Sequence, residues 1–279
     1  MAHILIAAAL AAATPGAFPA PAPAFAPALP ATVLNARPAI WVVNDADTVI
    51  YLFGTFHALD GKSAWFNEEV RTAFAASDEL VLETIVPEGP PLPSPSGSEV
   101  PSPSSVPSVA MTPSASFLAT ARLAISAGRS RGMKVDDGAD VILRRAAEAS
   151  GKPIEGLETM AFQVGMFGRM PEQTAPAATV TQDRHALADL SLVMGQMQAA
   201  WNRGDPAIFA AMLTQMRLTS PRNYDVMFAQ RNSNWAHWIA ERLLKPGIVF
   251  VAVGTGHLTG PDSVQVKLAQ LGVASERIN

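Results

Sequence analysis

Apolar residues recur along this chain with two different periods, and the alternation between them divides it into strands and helices. Residues 48–53 (Thr-Val-Ile-Tyr-Leu-Phe) and 247–253 (Gly-Ile-Val-Phe-Val-Ala-Val) are nearly continuous apolar runs, the pattern of strands covered on both faces. A shorter strand over 39–44 precedes the first of them, and Asn44-Asp45-Ala46-Asp47 between the two has hairpin-turn chemistry. Residues 64–76 then carry Phe66, Val70, Ala73 and Phe74 at helical spacing. Residues 79–83 return to strand, so the strand–helix–strand order predicts a crossover joining parallel strands.

The second half is mostly helical. A helix is expected over 139–150, with Asp136-Asp137 near its start and Gly151 just past its end. A short strand over 152–155 leads to helices over 158–170 and 183–201. Asp205-Pro206 opens the next helix, as an N-cap followed by proline at the first helical position. A long helix over 224–244 is stopped by Pro246-Gly247, and a last one over 262–271 closes at Gly272. The fold class is α/β, a central mixed sheet flanked by helices. Residues 87–113 follow neither period and are dominated by Pro, Ser and Gly. They read as a flexible surface insertion within one domain spanning 27–279.

The start of the chain changes the picture. Its first 26 residues contain no Lys, Arg, Asp or Glu, and residues 4–13 are an apolar run. That run is too short for a bilayer, which needs roughly 20 apolar residues. It has the length of a signal-peptide core, and Ala-Pro-Ala-Pro-Ala-Phe-Ala follows it. Residues 1–26 are therefore expected to be a signal peptide, cleaved near Ala24 or Ala26, which makes the protein periplasmic or secreted. His3 stands where Lys or Arg is usual, and an uncleaved Ala/Pro leader is the other reading. No second apolar stretch reaches spanning length. The net charge of −4, without a basic run, argues against nucleic acid as a partner. The chain has no cysteine, so any metal must be held by His, Asp or Glu.

Two segments echo each other about 200 residues apart. Ile50-Tyr51-Leu52-Phe53-Gly54-Thr55-Phe56-His57 and Phe250-Val251-Ala252-Val253-Gly254-Thr255-Gly256-His257 each run from an apolar strand into Gly-Thr-x-His. With 19 Gly and 5 His in the chain, Gly-x-x-His arises by chance about 0.3 times, and far less often with Thr specified. Ligands of open α/β sheets bind beyond the carboxyl ends of strands, where His57 and His257 are placed to start a metal site. Two independent core or turn histidines are the alternative.

Two carboxylates are candidates to complete that site. Glu83 ends the apolar stretch Leu80-Val81-Leu82-Glu83, and Glu158 sits at a strand-to-helix corner. Each has a plainer reading, as an exposed strand-end carboxylate and as a helix N-terminal charge respectively. Arg231 shares a helical stripe with Phe228, Trp235, Ile239 and Leu243. A guanidinium on an apolar stripe needs a carboxylate, a phosphate or a substrate to offset desolvation. A structural pair with a site carboxylate and a contact with substrate both remain open. His237 falls on the opposite, solvated face.

Together these residues resemble the TraB/GumN family, which includes Tiki-type metalloproteases and GumN-like exported proteins. The resemblance runs from Trp41 almost to the C-terminus. Besides the two Gly-Thr-x-His segments and the Glu83 strand, it takes in Gly138-Ala139-Asp140-Val141-Ile142-Leu143 and Gly151-Lys152-Pro153-Ile154-Glu155-Gly156-Leu157-Glu158-Thr159. Gln163 and Arg231-Asn232 complete it. It implies a fold like those of erythromycin esterase and ChaN-type haem-binding proteins. It also implies a divalent metal, with manganese or cobalt favoured and zinc open to the same donors. The expectation is an exported metal-dependent hydrolase acting on a peptide or protein. His57, Glu83 and His257 would be its metal ligands, Glu158 a further ligand or general base, and Arg231 an oxyanion or substrate partner. A non-catalytic haem- or metal-binding protein, or an accessory factor linked to exopolysaccharide, is the alternative. The 87–113 insertion departs from the family pattern and would border the cleft, so substrate preference does not carry over.

Overall fold

A computed structural model describes residues 35–85, 123–168 and 184–279; the expected leader and the 87–113 insertion lie outside them. Six strands form one sheet in the order β4-β3-β5-β2-β1-β6. They are β1 (Ile40–Asn44), β2 (Thr48–Thr55), β3 (Glu79–Thr84), β4 (Ile154–Glu158), β5 (Gly247–Gly254) and β6 (Glu276–Arg277). Neighbours from β4 to β2 are parallel, while β1 is antiparallel to both β2 and β6. The expected mixed α/β sheet is thus present.

Local chemistry explains the elements at the β1–β2 end. The turn closes because the Asp45 carboxylate accepts from the Thr48 and Asp47 amides, at 2.9 and 3.2 Å. That is the Asx chemistry that makes a hairpin of this stretch. Helix α1 (Glu68–Ala76) starts four residues later than the apolar spacing predicts. Asn67 caps it, its side chain accepting from Val70 N at 3.0 Å. Trp65, ahead of the cap, is buried against Phe53 and Trp201 rather than carried on the helix.

The β2–α1–β3 unit joins parallel strands as expected, but β5 lies between them. The most continuously apolar strand of the chain, buried over its last six residues, takes that central place. Helix α2 (Ala139–Ser150) ends on Gly151, whose φ of 68° is the left-handed cap. At its start Gly138, not Asp136 or Asp137, occupies the cap position, and no side chain caps the helix there. β4 is shifted toward the C-terminus relative to 152–155, so Glu158 ends a strand.

Further helices are α3 (Met160–Gly168), α4 (Arg184–Asn202), α5 (Ala207–Thr219), α6 (Gln230–Arg242) and α7 (Val264–Gln270), besides a helical stretch at 123–129. At α5 the cap position falls on Pro206 rather than Asp205, whose carboxylate, one residue earlier, accepts from Ala207 N at 2.9 Å. α6 continues without a break from a helical turn, Pro221–Tyr224, and a π-helical turn, Asp225–Ala229.

Helices cover both faces of the sheet, which is why its strands read as apolar runs rather than as an alternation. On one face Phe53, Leu80, Leu82 and Phe250 pack with α1, α2 and α4 through residues such as Phe74, Leu143 and Trp201. On the other, Leu52, Val81, Val251 and Val253 pack with Trp235 and Ile239 of α6 and Leu268 of α7. Among the described residues no helix is long and apolar enough to cross a membrane.

Candidate functional site

Parallel pairing brings four strand ends to one edge of the sheet. Thr55 of β2 lies beside Gly254 of β5, and Thr84 of β3 beside Glu158 of β4. His57 follows two residues after the end of β2 and His257 lies in the 3-10 turn Thr255–Leu258 directly after β5, while Glu83 and Glu158 stand on β3 and β4. All four candidates therefore meet at the carboxyl edge, the position expected from the strand-to-motif pattern.

Gly254 is where they converge. A Cβ built there would lie 3.2 Å from His57 Nε2, 3.6 Å from Glu83 Oε2 and 3.7 Å from His257 Cδ2. A side chain at this position would crowd His57 Nε2 and occupy the space that the three groups share. Gly254 also donates its backbone N–H to Glu83 Oε2 at 3.3 Å.

His57 is placed from below by α2. A Cβ on Gly138 would collide with the His57 carbonyl, and Ala139 N donates to Phe56 O at 3.0 Å, so the helix start abuts the His57 backbone. Asp140, one residue into the helix, puts Oδ1 3.2 Å from His57 Nδ1. His57 Nε2 is buried with no hydrogen-bond partner. Thr55 Oγ1, Thr84 Oγ1 and Gln163 Oε1 are likewise buried and unpartnered at this end of the sheet. Buried polar atoms without partners are uncommon and call for an explanation.

Arg231 is the hub of the opposite side. Its guanidinium is buried and donates to Glu158 Oε1 at 2.7 Å from Nε and to Glu158 Oε2 at 2.8 Å from Nη2. Nη2 also pairs with Glu83 Oε1, and Nη1 donates to Met227 O at 3.1 Å. Nη1 further lies 3.3 Å from His257 Nε2. The structural-pair reading of Arg231 thus holds for both carboxylates together. As they stand, no three metal-donor side chains among the described residues are grouped to hold one ion. Arg231 touches Glu83, Glu158 and His257 at once. His237, expected to be solvated, is exposed.

The same cluster sets the ionisation of its members. Burial alone would raise the Glu83 pKa, but Arg231, with His257 and His57 adding to it, outweighs burial and holds the carboxyl down at about 2. Burial pushes Glu158 above the usual carboxylate range against the pull of Arg231. Two further donors steady that carboxylate, Trp235 Nε1 at 3.1 Å and Gln163 Nε2 at 3.2 Å. Burial lowers the His257 pKa to about 3, with Arg231 adding to the effect. For His57 burial lowers the pKa, yet Asp140 and Glu83 overcome it and the net shift is upward. Arg231, opposed by burial, is held charged by Glu83 and Glu158.

Several members of this network were not singled out by sequence reasoning. Asp140 and Gln163 figured only inside resemblance motifs, Trp235 only as an apolar stripe residue, and Asn232 only as a neighbour of Arg231. Asn232 Oδ1 lies 2.6 Å from His257 Nδ1, and its Nδ2 donates to Asp262 O at 2.7 Å. A signal existed for Trp235: it stands four residues from Arg231, one helical turn away, and carries an indole N–H that needs an acceptor when buried.

Fold and site define an α/β protein with a buried His/Glu/Arg centre at the carboxyl ends of its parallel strands. The chain belongs to the TraB/PrgY/gumN family, whose model matches residues 39–90 and 102–277. YbaP of Escherichia coli (strain K12) is 30% identical over 143 residues, covering 51% of this chain and 52% of YbaP. YbaP of Shigella flexneri matches to the same extent. The chain thus spans about half the length of the curated relatives it matches. No solved structure matches it.

Proposed function

We propose that the protein is an exported, metal-dependent hydrolase of the peptidase type, its centre built from His57, Glu83, His257, Glu158 and Arg231. The observation that carries this reading is the convergence of His57, Glu83 and His257 on the side-chain-free face of Gly254, with His57 Nε2 buried and unpartnered. The donor chemistry fits a divalent cation. Glu83 is an anion over the whole neutral range, and two imidazoles and a carboxylate form a set that zinc, manganese or cobalt accepts. His57, Glu83 and His257 would hold the ion. When bound, it supplies Lewis acidity that polarises a carbonyl and acidifies water.

The chain's own groups divide the remaining work. Environments that push two carboxylates apart in pKa mark different roles for them. Glu83, held low, suits a permanent anionic ligand; Glu158, held high, suits proton transfer. Arg231 supplies a fixed positive charge for an oxyanion or a substrate carboxylate. Export rests on the uncharged apolar start of the chain and its small-residue tail. Intact-mass analysis of periplasmic protein tests it: a chain still beginning at Met1 contradicts cleavage.

One observation favours a second reading. Arg231 already engages both oxygens of Glu158 and one of Glu83, a closed network that can bind a ligand without turning it over. Elemental analysis of the purified protein, paired with hydrolysis of a quenched peptide library with and without chelator, separates the two. Metal with chelator-sensitive hydrolysis supports the hydrolase; metal without hydrolysis supports a binding protein. His57→Ala and His257→Ala should each remove most of the metal, and the double variant should be scarcely worse than either, because ligands of one ion are not additive. Metal content unchanged in both single variants refutes the shared site.

A further inference from the structure

We propose that Asn232 is a positioning residue that fixes His257 as its Nδ1–H tautomer, leaving Nε2 as a bare acceptor directed at the Arg231–Glu83 pair. Partners on two sides of the ring fix the assignment. On one side the Asn232 amide has its nitrogen committed, since Nδ2 donates to the Asp262 carbonyl at 2.7 Å and that carbonyl can only accept. The end facing the ring at 2.6 Å is therefore the amide oxygen. A carboxamide oxygen has no proton to give, so the proton of this hydrogen bond belongs to His257 Nδ1.

On the other side stands Arg231 Nη1, 3.3 Å from Nε2. A guanidinium has donors and no acceptor, so Nε2 must offer its lone pair. Two unrelated partners thus demand the same tautomer. Packing holds the ring where they can do so, with Phe228 and Trp235 at centroid distances of 4.9 and 4.4 Å. The Asp262 end is anchored in turn, its carboxylate accepting from Lys267 Nζ at 2.8 Å and Tyr224 OH at 3.0 Å.

The inference deepens the metal-centre reading and rests on it for its functional meaning, because a bare Nε2 on a fixed ring is the state a metal ligand needs. Outer partners of this kind typically change metal affinity about 10- to 100-fold when lost. His57 has an analogous neighbour at Nδ1, but there it is the carboxylate of Asp140. The two imidazoles are therefore backed by different chemistry, a carboxylamide at one and a carboxylate at the other.

Long-range proton–nitrogen correlation on uniformly ¹⁵N-labelled full-length protein, without added metal and at neutral pH, reads the tautomer directly. The expected spectrum shows His257 protonated at Nδ1 and bare at Nε2; an Nε2–H tautomer overturns the proposal. Asn232→Asp gives up the donor to the Asp262 carbonyl but keeps an acceptor of the same size facing the ring, and should keep His257 protonated at Nδ1, with Mn²⁺ affinity by titration calorimetry within a few-fold of the parent. Asn232→Leu should lose the single Nδ1–H signature and bind Mn²⁺ about 10- to 100-fold more weakly, while the His57 resonances stay in place. A folded Asn232→Leu protein that retains the Nδ1–H form overturns the proposal as well. Should Asn232→Leu fail to fold, the parent and Asn232→Asp spectra still decide. A parent that binds no Mn²⁺ defeats the metal reading, and the tautomer is then judged from the spectra alone.

Discussion

Strand β3 and helix α6 are tied together twice, once near each end, and both ties are Arg–Glu pairs. At the carboxyl end of β3, Arg231 meets Glu83 and Glu158 with side chains 3%, 6% and 7% exposed. At the amino end, Arg242 meets Glu79 at 2.8 Å with side chains 14% and 18% exposed. The residue types are alike and the surroundings are not. Arg242–Glu79 is a single pair reached by solvent, and such pairs contribute little. The Arg231 centre adds a second carboxylate, the His257 imidazole and the Trp235 indole around one guanidinium, and buries all of them. Desolvation on that scale is poor value for stability alone. The contrast separates a brace from a centre arranged to hold buried charge.

The largest effect should come from removing the cation of the buried centre. Arg231→Met leaves Glu83 and Glu158 facing each other without a counter-charge, and breaking a buried pair costs about 3–5 kcal/mol. Chemical denaturation should show a loss of that order. The variant also sharpens the metal reading, since Arg231 is the group with which a divalent ion competes for Glu83. Mn²⁺ should then raise the thermal midpoint of Arg231→Met more than that of the parent, by binding the folded state alone. A loss below 1 kcal/mol would show that the two ends of β3 are equivalent after all.

Acid should expose the same asymmetry. Glu83 is depressed to about 2 from an ordinary 4.5, and His257 to about 3 from 6.5. A depressed pKa gives stability that is complete above the unfolded value and is lost as the pH falls through the folded one. The thermal midpoint should therefore decline from about pH 6.5 downward to about 2, with the whole cluster titrating together. His57, shifted upward, acts in the opposite sense: its contribution is complete below 6.5 and fades as the pH rises through its folded value. In His257→Gln the decline should be shallower between pH 6.5 and 3. An unchanged profile in that variant counts against a buried neutral imidazole.

The same comparison marks what could be read from the chain beforehand. The strands β2 and β5 and their Gly-Thr-x-His exits were legible, because burial on both faces leaves a continuous apolar run and the motif repeats. Placement of β5 between β2 and β3 was not, since strand order is set by pairings across the chain that no local period records. Arg231 announced a need for a partner by standing on an apolar stripe, but whether one carboxylate or two would answer depended on β3 and β4 arriving side by side. Asn232 stood in the resemblance beside Arg231, but nothing in the chain pointed to its partner. Its role depends on the Asp262 carbonyl, 30 residues away, and on a loop whose course follows from the packing of α7. Asp140 likewise stood only inside a resemblance motif; it reaches His57 because Gly138 lets the start of α2 close on the His57 carbonyl.

The smallest expected effect belongs to the amino end and completes the contrast. Arg242→Met and Glu79→Gln should each cost about 1 kcal/mol or less, because water replaces the lost partner. The double variant should be close to either single one, the coupling being no larger than the pair itself. Added salt should weaken what remains of the tie, since charges that solvent reaches are screened within about 8 to 10 Å. At the Arg231 end, where solvent is excluded, the loss caused by Arg231→Met should barely move between low and high salt. Denaturation of the parent and of the four variants at two ionic strengths measures this directly. Equal salt sensitivity at both ends would mean that water enters the strand-end centre freely, and the contrast drawn from burial would fail with it.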